Sequence, residues 1–90
     1  MEFEWDDAKA ISNFKKHGVS FDDARLAFKD PRAYEEIDDA IFYGEERWKI
    51  VGLMNSVLIA VIYTPRNSKV RMISARKASP HEEQDYYLQT

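Results

Sequence analysis

Four polar side chains near the N-terminus have the types and spacing that suit phosphate binding and proton transfer: Lys9, Asn13, Lys16 and His17. The offsets of three and four residues between them would place all four along one stripe of a helix. A lysine ammonium attracts phosphate, and an imidazole can donate or accept a proton near neutral pH. A Lys-rich stripe is also typical of any amphipathic surface helix, so this pattern needs support from elsewhere in the chain.

The flanking residues predict the helix that would carry this stripe. Asp6 is suited to cap its first turn, and Gly18 is suited to end it in the left-handed conformation. Ala10, Ile11 and Phe14 form its apolar side. We expect that side to face the core.

The composition predicts a single folded domain spanning residues 1–90. Of the 90 residues, 44% are hydrophobic and 32% are charged, which suits one small core with a soluble surface. The chain has no cysteine and its two histidines are far apart, so we predict neither a metal site nor any other cofactor. The longest apolar run, residues 57–63, is too short to span a bilayer, and no signal-like segment begins the chain. We therefore predict a cytoplasmic protein without membrane association.

Charge is distributed unevenly along the chain, although the formal net charge is only -3. Residues 20–46 are strongly acidic, whereas residues 66–80 contain five bases and no acid. This distribution favours one basic surface for an anion, while the acidic segment either faces a partner or is simply solvated. Within the acidic segment, Ile41, Phe42 and Tyr43 either mark an interface or pack over a sheet edge.

Hydrophobic periodicity and turn signals predict the remaining elements. Phe3 and Trp5 indicate a short strand that leads into the first helix, and a second helix is expected over residues 21–28. Further strand-like runs cover residues 32–37, 48–54, 57–64 and 68–76, with turns at 55–56 and 65–67. Residues 57–64 are almost all apolar, which predicts a central strand covered on both faces. A short C-terminal helix is expected after Ser79, which would cap it, with Pro80 at the first helical position and Glu82 closing a capping box.

These elements predict an α+β fold. Two N-terminal helices and the short C-terminal helix would pack on a small, mainly antiparallel sheet of three to four strands.

Further candidate site residues lie in the second half of the chain. Glu46 is a candidate general base and Arg47 a phosphate clamp, although neighbouring Glu and Arg often form an ordinary surface pair. Arg71 and Arg76 would face opposite sides of a regular strand, so only one can reach a common site unless a bulge intervenes. We favour Arg76, because it lies at the predicted strand end beside Lys77.

Taken together, the motifs of the chain resemble those of the BrnT family. They are Trp5-Asp6, Lys9, Asn13, Lys16-His17-Gly18-Val19 and Phe21, then Gly44-Glu45-Glu46-Arg47, and finally Arg71 with Ile73-Ser74-Ala75-Arg76. The resemblance implies a RelE-like fold and a ribonuclease toxin of a type II toxin–antitoxin pair. It also implies a BrnA-type ribbon-helix-helix antitoxin as partner, through which the complex binds operator DNA and represses its own operon.

Metal-independent cleavage of RNA requires a base for the 2′-hydroxyl, charge stabilisation at the phosphate and an acid for the leaving oxygen. The predicted catalytic residues are His17 as acid, Glu46 as base, and Arg76 and Lys16 at the phosphate. The predicted RNA-binding residues are Lys9, Asn13, Arg47, Arg71 and Lys77. His17 could instead only cap the carbonyls at its helix end.

The last helix departs from the family pattern, because it opens with His81-Glu82-Glu83-Gln84-Asp85 rather than with arginines. This acidic start supports an alternative function. The chain would then be a catalytically weak binding module that acts mainly as antitoxin partner and co-repressor.

Overall fold

The computed structural model describes residues 1–38 and 45–89. The predicted apolar set Ile41, Phe42 and Tyr43 lies outside these ranges. The described elements, in chain order, are β1 (Phe3–Glu4), α1 (Asp7–His17), α2 (Phe21–Ala24), a 3-10 helix (Arg25–Lys29), β2 (Tyr34–Ile37), β3 (Trp48–Met54), β4 (Val57–Arg66), β5 (Lys69–Lys77) and α3 (Pro80–Leu88). Within the same ranges, no helix has the length and hydrophobicity needed to cross a bilayer.

The strands form one mixed sheet in the order β1-β5-β4-β3-β2. The α+β class is confirmed, but the predicted count of three to four strands is wrong, because the sheet has five. The first strand pairs in parallel with β5, placing Phe3 opposite Val70 and Glu4 opposite Arg71. The other pairs are antiparallel. Local periodicity predicts a strand but does not specify its partner, so the pairing of β1 with a strand near the other end of the chain was not predicted.

The prediction that residues 57–64 form a central strand covered on both faces is confirmed. Ile59 and Val61 lie in the core on the side of α2 and the 3-10 helix. Leu58 and Ala60 pack on the opposite side with Tyr86 of α3. Helices therefore cover both faces of the sheet, which explains why β4 is apolar at nearly every position.

Both hairpin connections have backbone conformations that suit tight turns. The predicted turn at Asn55 and Ser56 joins β3 to β4, with Asn55 at a φ of 58°. The next turn occurs at Asn67 and Ser68, whose φ values are 52° and 65°. Two successive positive φ angles are typical of two-residue hairpin turns that match the strand twist. The predicted turn at 65–67 was therefore placed too early, since β4 continues to Arg66.

The predicted helix caps are confirmed, although the second helix is shorter than expected. The Asp6 carboxylate accepts a hydrogen bond from the Lys9 amide at 3.1 Å, and Gly18 ends α1 with a φ of 72°. Ser79 and Glu82 form a reciprocal capping box at the start of α3. The predicted helix over residues 21–28 is instead a four-residue α-helix that continues as a 3-10 helix.

The predicted orientation of α1 is wrong for Ile11 and Phe14, although Ala10 packs against the core as expected. Asn13 is buried, with 7% of its surface exposed, whereas Ile11 and Phe14 are 60% and 55% exposed. The Asn13 carboxamide donates to the Ala75 carbonyl at 2.8 Å and accepts from the Ala75 amide at 3.1 Å. It also donates to the Val19 carbonyl at 3.0 Å. Since β1 pairs only with Val70 and Arg71, the side chain of Asn13 acts as strand partner further along β5 and sets the helix rotation.

Gly52 lies where β3 passes the 3-10 helix. A Cβ at this position would approach the Ala27 carbonyl oxygen to 2.7 Å and the Ala33 Cβ to 3.0 Å. Because the nearest atom is backbone, we expect Gly52→Ala to lower the free energy of unfolding by about 3 kcal/mol. The measurement is urea denaturation. Gly18→Ala is the control: its Cβ would meet nothing within 4 Å, so only the left-handed backbone contributes, about 1 kcal/mol. An equal or smaller loss at Gly52 would contradict the proposed clash.

Candidate functional site

A β-bulge brings both candidate arginines of β5 to the same face of the sheet. The register between β4 and β5 shifts beside Ile73, so that Arg71 lies opposite Thr64 and Arg76 lies opposite Ala60. Thr64 and Ala60 are four residues apart on β4, and residues an even number apart share one face of a strand. Arg71 and Arg76 therefore project from the same face, which regular alternation would not allow.

Arg71 lines a cavity of about 190 Å³ at one end of the sheet. With Arg71 included, four cationic and two acidic side chains line this cavity: Lys9, Arg47, Arg66, Arg71, Asp6 and Glu45. We call it the cationic cavity, because four positive and two negative formal charges leave an excess of two positive charges. Such a concentration of cations in a small concave site favours a phosphate group.

Several elements converge to build the cationic cavity. Lys9 lies in the first turn of α1, the end of a helix that carries the positive pole of its dipole. The Arg71 guanidinium donates to the Glu4 carboxylate of the neighbouring strand at 2.7 Å. Arg66, at the end of β4, forms an ion pair with Glu45. Because a guanidinium carries five N–H donors, each of these two contacts uses only part of its donor capacity.

Arg76 occupies a different environment beneath α3. Its guanidinium donates to the two carboxylate oxygens of Glu82 at 2.7 and 2.9 Å. The Glu82 side chain is only 6% exposed and also pairs with Lys49 at 2.8 Å. Burial by itself would raise the pKa of Glu82, but hydrogen bonds from Arg76, Lys49 and the Ser79 amide hold that pKa well below its usual range. Arg76 thus anchors α3 to the sheet.

The remaining predicted site residues do not line the cationic cavity. Lys16 and Glu46 are exposed, and His17 is half-buried at the end of α1. Lys9 lies beside Ile73 and Asn13 bonds to Ala75, so α1 runs in the same direction as β5 and carries His17 away from the cavity.

Lys77 and Asn13 also lie outside the lining of the cationic cavity. Lys77 lines a separate cleft with Ser56, Val57 and Glu83. The carboxamide nitrogen and oxygen of Asn13 are both bonded to backbone groups of the protein, and its phosphate contact stays a prediction. Of the predicted site residues, the structure brings together Lys9, Arg47 and Arg71.

Comparison with protein families agrees with these motifs. The model of a family described as the ribonuclease toxin BrnT of type II toxin–antitoxin systems matches residues 5–82. The chain belongs to the BrnT family. The match includes every charged residue of the cationic cavity, as well as Arg76 and Glu82. No curated protein matches the chain.

Sequence reasoning missed Arg66 and Glu45 as site residues of this BrnT-family chain. Glu45 is two residues before Arg47, the spacing that keeps side chains on one side of an extended chain, so this spacing could have identified Glu45 in place of Glu46. Arg66 is two residues after Thr64, so the two side chains share one face of β4. This spacing identifies Arg66 only when the strand register is known, because the register places Thr64 opposite Arg71.

Proposed function

We propose that this toxin cleaves RNA in the cationic cavity by a metal-independent reaction. The convergence of Lys9, Arg47, Arg66 and Arg71 around one small cavity carries the proposal. The family supplies the activity class, a ribonuclease toxin, and RNA presents one negatively charged phosphate per nucleotide. In the residues that the structure describes, no group of three or more metal-ligating side chains converges. The cationic side chains provide the charge stabilisation that the reaction needs.

In the proposed reaction, the 2′-oxygen of a nucleotide attacks the adjacent phosphorus while the bond from phosphorus to the 5′-oxygen breaks. Negative charge grows on the non-bridging oxygens, where Arg47 and Arg71 stabilise it with N–H donors. The products are a 2′,3′-cyclic phosphate and a free 5′-hydroxyl.

Two proton transfers accompany these bond changes. We infer that Glu45 accepts the 2′-hydroxyl proton, because it lines the cavity whereas Glu46 does not. Asp6 is less suited to this role, since its carboxylate caps α1. Lys9 is the cavity residue that can donate a proton to the 5′-oxygen. The acid role of His17 remains a prediction from the family motif.

We further propose that a BrnA-type ribbon-helix-helix antitoxin neutralises the toxin in the cytoplasm. A type II system implies an antitoxin partner. Operator DNA would be bound only through the antitoxin, since the toxin itself is acidic overall, with a formal net charge of -3. The RelE-like relationship implied by the motifs remains a prediction.

The test is incubation of the purified chain with a long single-stranded RNA, with and without a chelator. We expect cleavage that resists the chelator and leaves cyclic phosphate ends. The matched control substrate has 2′-deoxy nucleotides, which lack the nucleophile and should stay intact. Cleavage that stops with chelator, or that proceeds on the deoxy substrate, would refute the proposed reaction.

A second function is favoured by the bidentate pairing of Arg76 with Glu82. This pairing neutralises Arg76, the arginine that the sequence favours for catalysis. If Arg76 is the essential cation, the chain is a weak nuclease that serves mainly as antitoxin partner and co-repressor. Intact RNA in the test above, together with operator binding by the toxin–antitoxin complex, would favour this function.

A further inference from the structure

Thr64 is a nearly buried polar residue on the wall of the cationic cavity. Only 3% of its surface is exposed, and its side chain lines the cavity. Within the part of the chain that the structure describes, its hydroxyl forms no hydrogen bond. A hydroxyl removed from water normally has a hydrogen-bond partner, because burial without one costs free energy. The Thr64 hydroxyl is therefore suited to bind a molecule that enters the cavity.

The strand register places Thr64 between two arginines of the cavity. Arg71 lies directly opposite Thr64 on β5. On the other side of β4, Trp48 of β3 pairs with Tyr63. Continuing this antiparallel register by one residue places Arg47 beside Thr64. Side chains of directly opposite residues share one face of the sheet, with Cβ atoms about 5 Å apart. A phosphate held by the two arginines would therefore lie next to the Thr64 hydroxyl.

The hydroxyl of Thr64 differs from the charged groups of the cavity in its hydrogen-bonding capacity. Arginine and lysine only donate hydrogen bonds, and an ionised carboxylate only accepts them, whereas a hydroxyl does both. Among the described residues that line the cavity, Thr64 is the one whose side chain has both capacities. The ribose 2′-hydroxyl of RNA is likewise both a donor and an acceptor. A phosphate oxygen only accepts, and the four cations already supply donors for it.

The position of Thr64 also suits a group that lies next to the phosphate. In the proposed reaction the 2′-oxygen attacks phosphorus, so the two atoms must first approach to about 3–3.5 Å. A hydroxyl between the two arginines that hold the phosphate can reach this 2′-oxygen. Glu45, which lines the same cavity, is the proposed acceptor of the 2′-hydroxyl proton. Thr64 would donate to the 2′-oxygen while Glu45 accepts from it, which directs the 2′-O–H bond toward the base.

We propose that the Thr64 hydroxyl binds the ribose 2′-hydroxyl and thereby selects RNA over DNA. The proposal rests on the proposed function in taking RNA as the ligand of the cationic cavity. The selection occurs when the ligand binds, and it adds to the need for a 2′-oxygen in the cleavage step.

The experiment measures the binding of two small ligands, adenosine 3′-monophosphate and its 2′-deoxy analogue. They have the same base and the same 3′-phosphate, and they differ only in the 2′-hydroxyl. Neither contains a phosphodiester bond that the toxin could cleave. NMR titration of the purified chain at constant salt gives the Kd for each ligand. We expect the wild-type chain to bind the ribonucleotide roughly fivefold more tightly, the contribution of one hydrogen bond.

Three variants test whether Thr64 is the source of this selectivity. Thr64→Val keeps the shape of the side chain and removes the hydroxyl, so the two Kd values should become equal. Thr64→Ser keeps a hydroxyl and should retain the wild-type ratio. Ser74→Ala is the matched control, because Ser74 carries a hydroxyl on β5 but does not line the cavity. Urea denaturation should show that Thr64→Val is as stable as the wild-type chain, since the hydroxyl has no partner among the described residues.

Four results would overturn the proposal. The first is an equal Kd for both nucleotides, or no binding of either, in the wild-type chain. The second is an unchanged ratio in Thr64→Val, which would assign the selection to another group. The third is an equal loss of affinity for both nucleotides in Thr64→Val, which would assign the hydroxyl to the phosphate. The fourth is a destabilised Thr64→Val, which would show that the hydroxyl is bonded within the protein.

Failure of the proposed nuclease gives a different result from failure of this proposal. The wild-type chain would then leave RNA intact in the cleavage assay. Its preference for the ribonucleotide would persist in the titration, and Thr64→Val would still abolish that preference.

Discussion

Replacing Arg71 with alanine is expected to lower kcat/KM for RNA cleavage by roughly a hundredfold or more. Arg71 lines the cationic cavity, where its guanidinium would stabilise charge that develops on the phosphate. The substitution also removes the ion pair with Glu4, but both partners are partly exposed, so the cost in stability should be small. The rate is measured on a defined single-stranded RNA at constant salt, because phosphate contacts depend on ionic strength.

Arg76→Ala is the matched comparison, since Arg76 lies on the same strand and the same face as Arg71. We expect this variant to cleave RNA at nearly the wild-type rate when assayed below its melting temperature. It should melt earlier, because it loses the bidentate pairing with Glu82. The reverse result, with loss of cleavage in a folded Arg76→Ala variant and normal cleavage in Arg71→Ala, would move the active site from the cationic cavity to the face beneath α3.

Replacing Glu82 with glutamine is expected to lower the free energy of unfolding by about 3 kcal/mol at pH 7. The Glu82 carboxylate is buried between Arg76 and Lys49, and the substitution leaves Arg76 without its ion pair and Lys49 with only Glu36. The figure is at the low end for a broken buried pair, because Arg76 is partly exposed to solvent. Urea denaturation measures the change. Glu83→Gln is the control, since Glu83 is an exposed neighbour in the same helix turn and should cost little.

The effect of Glu82→Gln should depend on pH. The pKa of Glu82 is lower in the folded protein than in the unfolded chain, where a glutamate has a pKa of about 4.3. The carboxylate therefore stabilises the fold above that value, and the stabilisation is lost as the pH falls below it. We expect the difference between wild type and variant to shrink below about pH 4.3. A difference that stays constant from pH 7 to pH 3 would mean that packing, and not charge, accounts for it.

The features that were predicted correctly depend on interactions between residues that are close together in the sequence. The cap at Asp6 and the turn at Gly18 involve atoms within one helical turn, so residue type and spacing were sufficient. The capping box formed by Ser79 and Glu82 was predicted for the same reason. The apolar run of β4 indicates that both of its faces are buried, and this inference does not require knowing which elements cover them.

Only part of the candidate site could be predicted from the sequence. Lys9, Arg47 and Arg71 were predicted to bind phosphate, and the structure places all three around one cavity. The choice between Arg71 and Arg76 could not be made from alternation, because one extra residue at Ile73 reverses the alternation within β5. A bulge is defined by the pairing of two strands, so the sequence of β5 alone does not reveal it.

The sequence by itself determined the helix ends, the central strand, the family and most cations of the cavity, because short-range hydrogen bonds and side-chain periodicity are encoded locally. The tertiary structure alone decided that Asn13 faces β5, that Ile11 and Phe14 face outward, and that Arg76 pairs with Glu82 beneath α3. Each of these outcomes depends on a hydrogen bond or ion pair to a group in another element. Which distant groups meet is set by strand register and helix rotation, and neither can be deduced from a single segment.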